Sequence, residues 1–181
     1  RDILPLLPDY MTLTEYGALD DMTYEEVMSQ FAPSEDDEVL VSRMRDGRQA
    51  KFTERFIRPL VQKKIDQAEA EGVSAIILFC TGVFPEFRHK VLFIEPQPLF
   101  HAIAAKLAGN QKIPVEVTSA SPYLDFDKVV EAASFFKGKN LAFICTDCMG
   151  FTMEMKHQIQ EVTGLPVLLP RTLVVRILCE M

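Results

Sequence analysis

Two cysteines, Cys80 and Cys148, are the residues whose type and setting best suit catalysis. Cys80 ends an apolar run before a glycine-containing turn in AIILFCTG (75–82), and Cys148 lies in the glycine-containing turn that follows the apolar run in AFICTDCMG (142–150). In open α/β sheets ligands bind beyond the carboxyl ends of strands, so both thiols are expected near a ligand. One thiolate could remove a proton next to a carbonyl while the other thiol returns one to the opposite face. The pattern indicates inversion of a stereocentre without a cofactor or a metal.

The turns themselves offer partners for such a substrate. Cys148 precedes a helix predicted to begin near Thr152, and the exposed N–H groups of a helix start favour a thiolate and bind anions. The expected ligand-binding residues surround the two cysteines: Thr81, Gly82, Asp147, Gly150 and Thr152.

Three other interpretations of these cysteines stay open. Free cysteines are most often small buried apolar residues, and the spacing alone favours this interpretation. Cys145 and Cys148 form a C-x-x-C, which in a thiol redox protein would open a helix. A zinc site lacks a second pair of ligands, because His157 is the only nearby histidine.

A second candidate is the basic segment 43–64, which holds eight Lys or Arg and two acidic residues, a local charge of +6 in a chain of net charge −7. Such a segment can bind an anionic ligand or a nucleic acid. We favour a solvated surface, since a pI near 5.0 argues against a general nucleic-acid or membrane-surface binder.

Length and composition agree with one globular α/β protein over residues 1–181. Hydrophobic residues make up 48% and charged residues 25%, which is ordinary for folded domains. The sequence has neither an apolar run of about 20 residues nor a signal-peptide pattern. Four cysteines are interpreted as reduced thiols, so we expect a soluble cytoplasmic protein. Homodimers are the commonest oligomers of such proteins, and the turns described above predict a small anionic ligand.

The elements that must position the cysteines alternate between strand and helix. Short apolar runs predict buried parallel strands at 74–80, 140–145 and 166–169, with a more polar strand at 114–119. Glycine-terminated helical patterns cover 53–72, 99–109, 125–138 and 152–164. Before them, a short helix over 24–31 capped by Thr23 and a hairpin of 39–44 with 49–53 are predicted.

Several segments together resemble the AroM family, and the likeness covers nearly the whole chain. The most specific are LFCTGVFP (78–85), IEP (94–96) and DCMGF (147–151), with further similarity at 24–33, 40–47 and 164–169. The family resembles the aspartate/glutamate racemase superfamily. The resemblance therefore implies two pseudo-symmetric, Rossmann-like lobes with a ligand cleft and one catalytic cysteine from each half, here Cys80 and Cys148.

The same resemblance implies a racemase or isomerase that acts on a small carboxylate or cyclic amide, with Arg1 in a turn that binds the carboxylate. The chain departs from the racemase pattern at Gly82-Val83, where Asn-Thr is expected, and around Cys148, where Gly-Cys-Thr-Glu is expected. These departures keep a non-catalytic ligand-binding or regulatory protein as the alternative. Compared with the family, we also expect further residues before Arg1 and between residues 112 and 113.

Overall fold

A computed structural model describes residues 3–37, 39–96 and 115–180. Helices and short strands alternate along them, which confirms the mixed α/β class. The chain divides into two compact units. The N-terminal unit comprises Leu13–Leu78 and Gly82–Ile94, and the C-terminal unit comprises Arg1–Thr12, Phe79–Thr81 and Glu95–Met181. Both cysteines of interest, Cys80 and Cys148, therefore belong to the C-terminal unit.

The N-terminal unit begins with the predicted helix and hairpin. Its elements are α1 (Tyr24–Gln30), β1 (Val39–Arg43), β2 (Gln49–Thr53) and α2 (Glu54–Ala70). A complete capping box starts α1: the Thr23 hydroxyl accepts from the Glu26 N–H, and the Glu26 carboxylate accepts from the Thr23 N–H. Strands β1 and β2 pair antiparallel, and Gly47 in their connection has a φ of 88°, which a glycine adopts without strain.

A compact apolar cluster holds this unit together. Val27 of α1 is fully buried, and Leu40 of β1, Phe52 of β2 and Ile57 of α2 pack in the same cluster. Burial of each such side chain stabilises the unit by roughly 1.5–3 kcal/mol relative to exposure. The hairpin is therefore fixed by one face, while its other face exposes both apolar side chains (Val39 and Val41) and charged ones (Arg43 and Lys51).

The unit also contains one parallel pair, formed by β3 (Ala75–Ile77) and β4 (Leu92–Ile94). The strand predicted at 74–80 is thus confirmed in its first half. One further hydrogen bond, from the Leu78 N–H to the Ile94 carbonyl at 3.0 Å, extends the pairing toward Cys80.

The C-terminal unit is built around a second parallel pair. After a short 3₁₀ helix (Leu4–Leu6), its described elements are α3 (Phe126–Ser134), β5 (Ile144–Cys145), α4 (Met153–Thr163), β6 (Val167–Leu168) and α5 (Pro170–Cys179). Strands β5 and β6 pair in parallel, as the buried runs predict. A positive φ of 71° at Gly164 ends α4 in the left-handed cap that its glycine predicts.

Packing in this unit joins α3 and α4 to the strands. Val129 of α3, Ile144 of β5, Ile159 of α4 and Val167 of β6 are buried in one apolar cluster. Leu169, which follows β6, is 2% exposed. These contacts fix both ends of the segment that joins β5 to α4, which is the segment carrying Cys148.

One expectation about the strands differs from the structure. Residues 115–119 are exposed coil, so the strand predicted at 114–119 is wrong over its described part. Val115 and Val117 are 65% and 78% exposed, and no described strand pairs with them. The described strands form three two-stranded sheets. The helix predicted at 99–109 lies outside the described residues.

Among the described residues, no helix combines the length and the apolar character that crossing a membrane requires.

Candidate functional site

The segment between β5 and α4, residues 146–152, is called the thiol turn. It is anchored at its start, because Thr146 is buried and its hydroxyl donates to the Leu168 carbonyl of β6 at 3.1 Å. The Cys148 N–H donates to the Thr146 carbonyl at 3.0 Å, and the Phe151 N–H donates to the Cys148 carbonyl at 3.3 Å. These backbone hydrogen bonds fix the position of Cys148 in the turn.

The sulfur of Cys148 contacts two polar groups. The Gly150 N–H donates to Cys148 Sγ at 3.3 Å, and the hydroxyl of Tyr123 lies 3.5 Å from the same sulfur. The Cys148 side chain is half-buried. The sulfur therefore accepts one backbone hydrogen bond and contacts a hydroxyl that can donate to it or accept from it.

Gly150 allows the tyrosine to approach. A Cβ added at Gly150 would lie 2.5 Å from Cζ and 2.7 Å from the hydroxyl oxygen of Tyr123. These distances are far below van der Waals contact, so the ring occupies the space that a side chain would need. The φ of Gly150 is not positive, so close approach, rather than backbone conformation, accounts for glycine at this position.

The pKa of Tyr123 is raised above its ordinary value of 10.0, and the causes identify its neighbours. Burial is the largest cause, followed by the charge and the hydrogen bond of Cys148 and then the charge of Cys80. The positive charge of Arg171 acts in the opposite direction. Both cysteines and one arginine are therefore close enough to this phenol to act on its charge.

Arg171 lies in the first turn of α5, immediately after Pro170. Its Nε donates to the Met149 carbonyl of the thiol turn at 3.0 Å, and its Nη2 donates to the same oxygen. Its guanidinium carbon also lies 5.9 Å from the ring centroid of Phe79, the residue before Cys80. A fixed positive charge thus lies against both cysteine-bearing segments, where it can bind a carboxylate.

Tyr123 and Arg171 were not among the candidates from the sequence. No spacing rule connects a tyrosine in the coil before α3 to a cysteine 25 residues later. For Arg171, the Pro-Arg pair at a helix start was a weak signal, since donors at such a start suit an anion.

The remaining predicted ligand-binding residues fall into different places. Thr81, which follows Cys80 in the sequence, is buried, and Asp147 is exposed in the thiol turn. The Thr152 hydroxyl caps α4 by accepting from the Met155 N–H at 3.2 Å, which gives it a structural function. Gly82 belongs to the N-terminal unit. Arg1 lies outside the described residues.

Cys145, the other cysteine of the C-x-x-C, has a different environment. Burial, and then the negative charge of Asp147, raise the pKa of the Cys145 thiol. A raised pKa disfavours the thiolate, and an attacking redox cysteine requires that form. Among the residues that the structure describes, no group of three or more His, Cys, Asp or Glu side chains could hold a metal ion.

The basic segment 43–64 lies in the N-terminal unit, and several of its charges are matched by acids. The ion pairs join Arg45 to Asp20 (3.0 Å), Arg48 to Glu25 and Asp46 (2.6 Å each), Arg55 to Asp37 (3.3 Å) and Lys64 to Asp21 (3.2 Å). Most of these acids are distant in sequence, so the excess of +6 along the segment overstates the charge that its surface presents. The pairing agrees with the interpretation as a solvated face.

Comparison with known proteins gives a single finding. No curated protein and no solved structure shows a significant match to this chain. The family model described as AroM protein matches residues 1–116 and 110–181. The two matched segments overlap at residues 110–116. Because the matches span the chain from end to end, this protein belongs to the AroM family.

Proposed function

We propose that this protein is a cofactor-independent racemase or isomerase that moves a proton at a carbon next to a carboxylate or amide. One observation carries the proposal: the Cys148 sulfur contacts the hydroxyl of Tyr123, and the charges of Cys80 and Arg171 act on that same hydroxyl. Two thiols and one cation near the same phenol are the groups that such a reaction needs. A racemase-like architecture of two Rossmann-like lobes is part of the proposal.

The reaction uses the two thiols in opposite protonation states. The Cys148 thiolate takes the proton from the substrate carbon, and the electron pair of the broken C–H bond moves onto the adjacent carboxyl group. The Cys80 thiol then donates its proton to the opposite face of that carbon. Each turnover leaves the substrate inverted and exchanges the protonation states of the two cysteines, and the reverse reaction restores them.

Arg171 contributes the positive charge in this scheme. Its contact with the Met149 carbonyl holds the guanidinium against the thiol turn, and the charge stabilises both a bound carboxylate and the extra negative charge that develops during proton removal. The ligand is therefore a small anion.

Hydrogen exchange with solvent tests the proposal. A panel of amino acids, hydroxy acids, hydantoins and substituted malonates is incubated in D₂O and followed by NMR. We expect deuterium at the acidic carbon of one substrate class with the native protein, its loss with Cys148→Ser, and its retention with Cys179→Ser, which changes an exposed cysteine. Exchange that survives in Cys148→Ser would contradict the proposal.

The alternative is a protein that binds the anion without reacting with it. It is favoured by Gly82-Val83 and Asp147-Cys148-Met149-Gly150, where the racemase pattern has more polar partners. The alternative is supported if one panel member raises the melting temperature, with no deuterium incorporated in any of them. In that case Arg171→Gln should abolish the stabilisation by the ligand, whereas Cys148→Ser should keep it.

A further inference from the structure

We propose that Tyr123 is a positioning residue for Cys148: its protonated hydroxyl donates to the Cys148 thiolate and holds the sulfur in one orientation. The inference deepens the proposed function by naming the group that prepares its thiol. Its test requires no substrate and no turnover, so the two proposals can fail separately.

The first argument is geometric. The phenol can reach Cys148 Sγ because Gly150 has no side chain in the path of the ring. The same glycine donates its own N–H to the sulfur at 3.3 Å. One residue thus supplies a donor to the thiol and the space for a second donor, so the contact of Tyr123 depends on a local feature of the turn.

The second argument concerns the direction of the hydrogen bond. Burial and the nearby thiols Cys148 and Cys80 raise the pKa of Tyr123, and the opposing charge of Arg171 does not reverse this. The phenol therefore keeps its proton throughout the pH range in which an ordinary thiol ionises. Once Cys148 is a thiolate, its sulfur accepts only, so the O–H of Tyr123 must be the donor.

Two donors on one sulfur have a chemical consequence. A charge-assisted hydrogen bond is stronger than a neutral one, so the contact stabilises the thiolate more than the thiol. Removal of the hydroxyl alone should lower the fraction of reactive thiolate at neutral pH while the ring continues to fill its space.

Alkylation measures this effect directly. The rate at which iodoacetamide modifies Cys148 is followed by peptide mass spectrometry as a function of pH, with exposed Cys179 in the same sample as an internal reference. For Tyr123→Phe we expect the pH of half-maximal rate to rise and the rate at pH 7 to fall about threefold to tenfold. Tyr10→Phe makes the same change at an exposed tyrosine and should leave Cys148 unaffected.

A second variant, at Gly150, disrupts the same contact between Tyr123 and Cys148. Gly150→Ala places a methyl group against the ring and displaces the hydroxyl, so it should slow alkylation as Tyr123→Phe does. In the double variant, Cys148 should be alkylated no more slowly than in the slower single variant, because both substitutions remove the same hydrogen bond. An unchanged pH profile in Tyr123→Phe would overturn the proposal, whether or not Gly150→Ala folds.

Discussion

The basic segment 43–64 and the thiol turn 146–152 are both candidate sites in the sequence, but they differ in burial and in the partners that the fold gives them. In the N-terminal unit, several basic residues of the segment pair with carboxylates on the surface, such as Arg48 with Glu25. In the C-terminal unit, the turn brings a half-buried thiol, a tyrosine and an arginine from three separate segments together. In the first region several charges are paired at the surface, whereas the second brings reactive groups together in a partly buried place.

The difference shows which kind of sequence signal identifies a site. A run of like charge is visible in the sequence, but its partners can come from anywhere in the chain and cancel it. The polar neighbours of a buried thiol cannot be recognised in the sequence. Burial nevertheless strengthens the interaction of each neighbour with the thiol, because the local dielectric is low. The two regions should therefore respond very differently to substitution.

The largest effect is expected where the thiol turn is supported by the core. Leu169 follows β6 and is 2% exposed, so Leu169→Ala leaves a cavity and should reduce the free energy of unfolding by about 2–5 kcal/mol. Chemical denaturation measures this loss. Leu168→Ala is the matched control, because its side chain is 37% exposed and its removal should cost much less. Equal losses for the two variants would contradict the packing described for this unit.

A smaller effect is expected at Thr152, where the contribution of the hydroxyl as a helix cap can be measured. Its hydroxyl caps α4, so Thr152→Ala should reduce the free energy of unfolding by about 1 kcal/mol, whereas Thr152→Ser should keep most of it. Thermal denaturation compares the two variants. Thr23→Ala removes the corresponding cap of α1 in the N-terminal unit and should have a similar cost. If Thr152→Ala is as stable as the native protein, the hydroxyl is not acting as a cap.

The next effect in order of size concerns Cys145, the first cysteine of the C-x-x-C. Burial raises the pKa of the Cys145 thiol, and the negative charge of Asp147 raises it further. Removing this negative charge in Asp147→Asn should favour the thiolate and speed alkylation of Cys145 at pH 8 by about twofold to threefold. Peptide mass spectrometry reads the rate, and Asp9→Asn, at an exposed acid elsewhere in the same unit, should have no effect. Slower alkylation in Asp147→Asn would show that the charge acts in the opposite direction.

Local features of the fold could be predicted from the sequence because their causes are local. Thr23 and Gly164 mark helix ends through their own hydrogen bonds and backbone preference, and Asp46-Gly47 marks a hairpin turn. The cysteines were recognised for the same reason, since Cys80 ends an apolar run and Cys148 lies in the turn that follows one. Residues 115–119 were misjudged because their alternating valines favour a strand, but a strand also needs a partner and a face to bury.

The candidate site could be predicted only in part, because its remaining members are brought in by tertiary structure. Tyr123 comes from coil before α3, and Arg171 comes from the start of α5. Neither has a fixed sequence spacing from Cys148. Gly150 was chosen as a possible donor to a ligand, whereas the structure also gives it a steric reason, the close approach of the Tyr123 ring. Reasons of this kind depend on distances between segments, which no local pattern encodes.

The smallest effect is expected in the basic segment, at the arginine with the most partners. Arg48 pairs with Glu25 and Asp46 and lies 4.0 Å over the ring of Tyr24, yet all three charged groups are on the surface. Surface ion pairs contribute little and are screened by salt, so Arg48→Gln should change the melting temperature by no more than about 2 °C at low salt and less at high salt. Arg45→Gln, which removes the pair with Asp20, is the matched comparison.

The pH dependence of this small difference has a definite sign. Hydrogen bonds from Arg48 lower the pKa of Glu25 below 4.5 and that of Asp46 below 3.8 in the folded protein. Their stabilisation is therefore complete above those ordinary values and is lost as the pH falls through the lowered ones. The melting temperatures of the native protein and Arg48→Gln should converge as the pH decreases below 4. A difference that persists in acid or in high salt would mean that Arg48 contributes through its stacking on Tyr24 rather than through its charge.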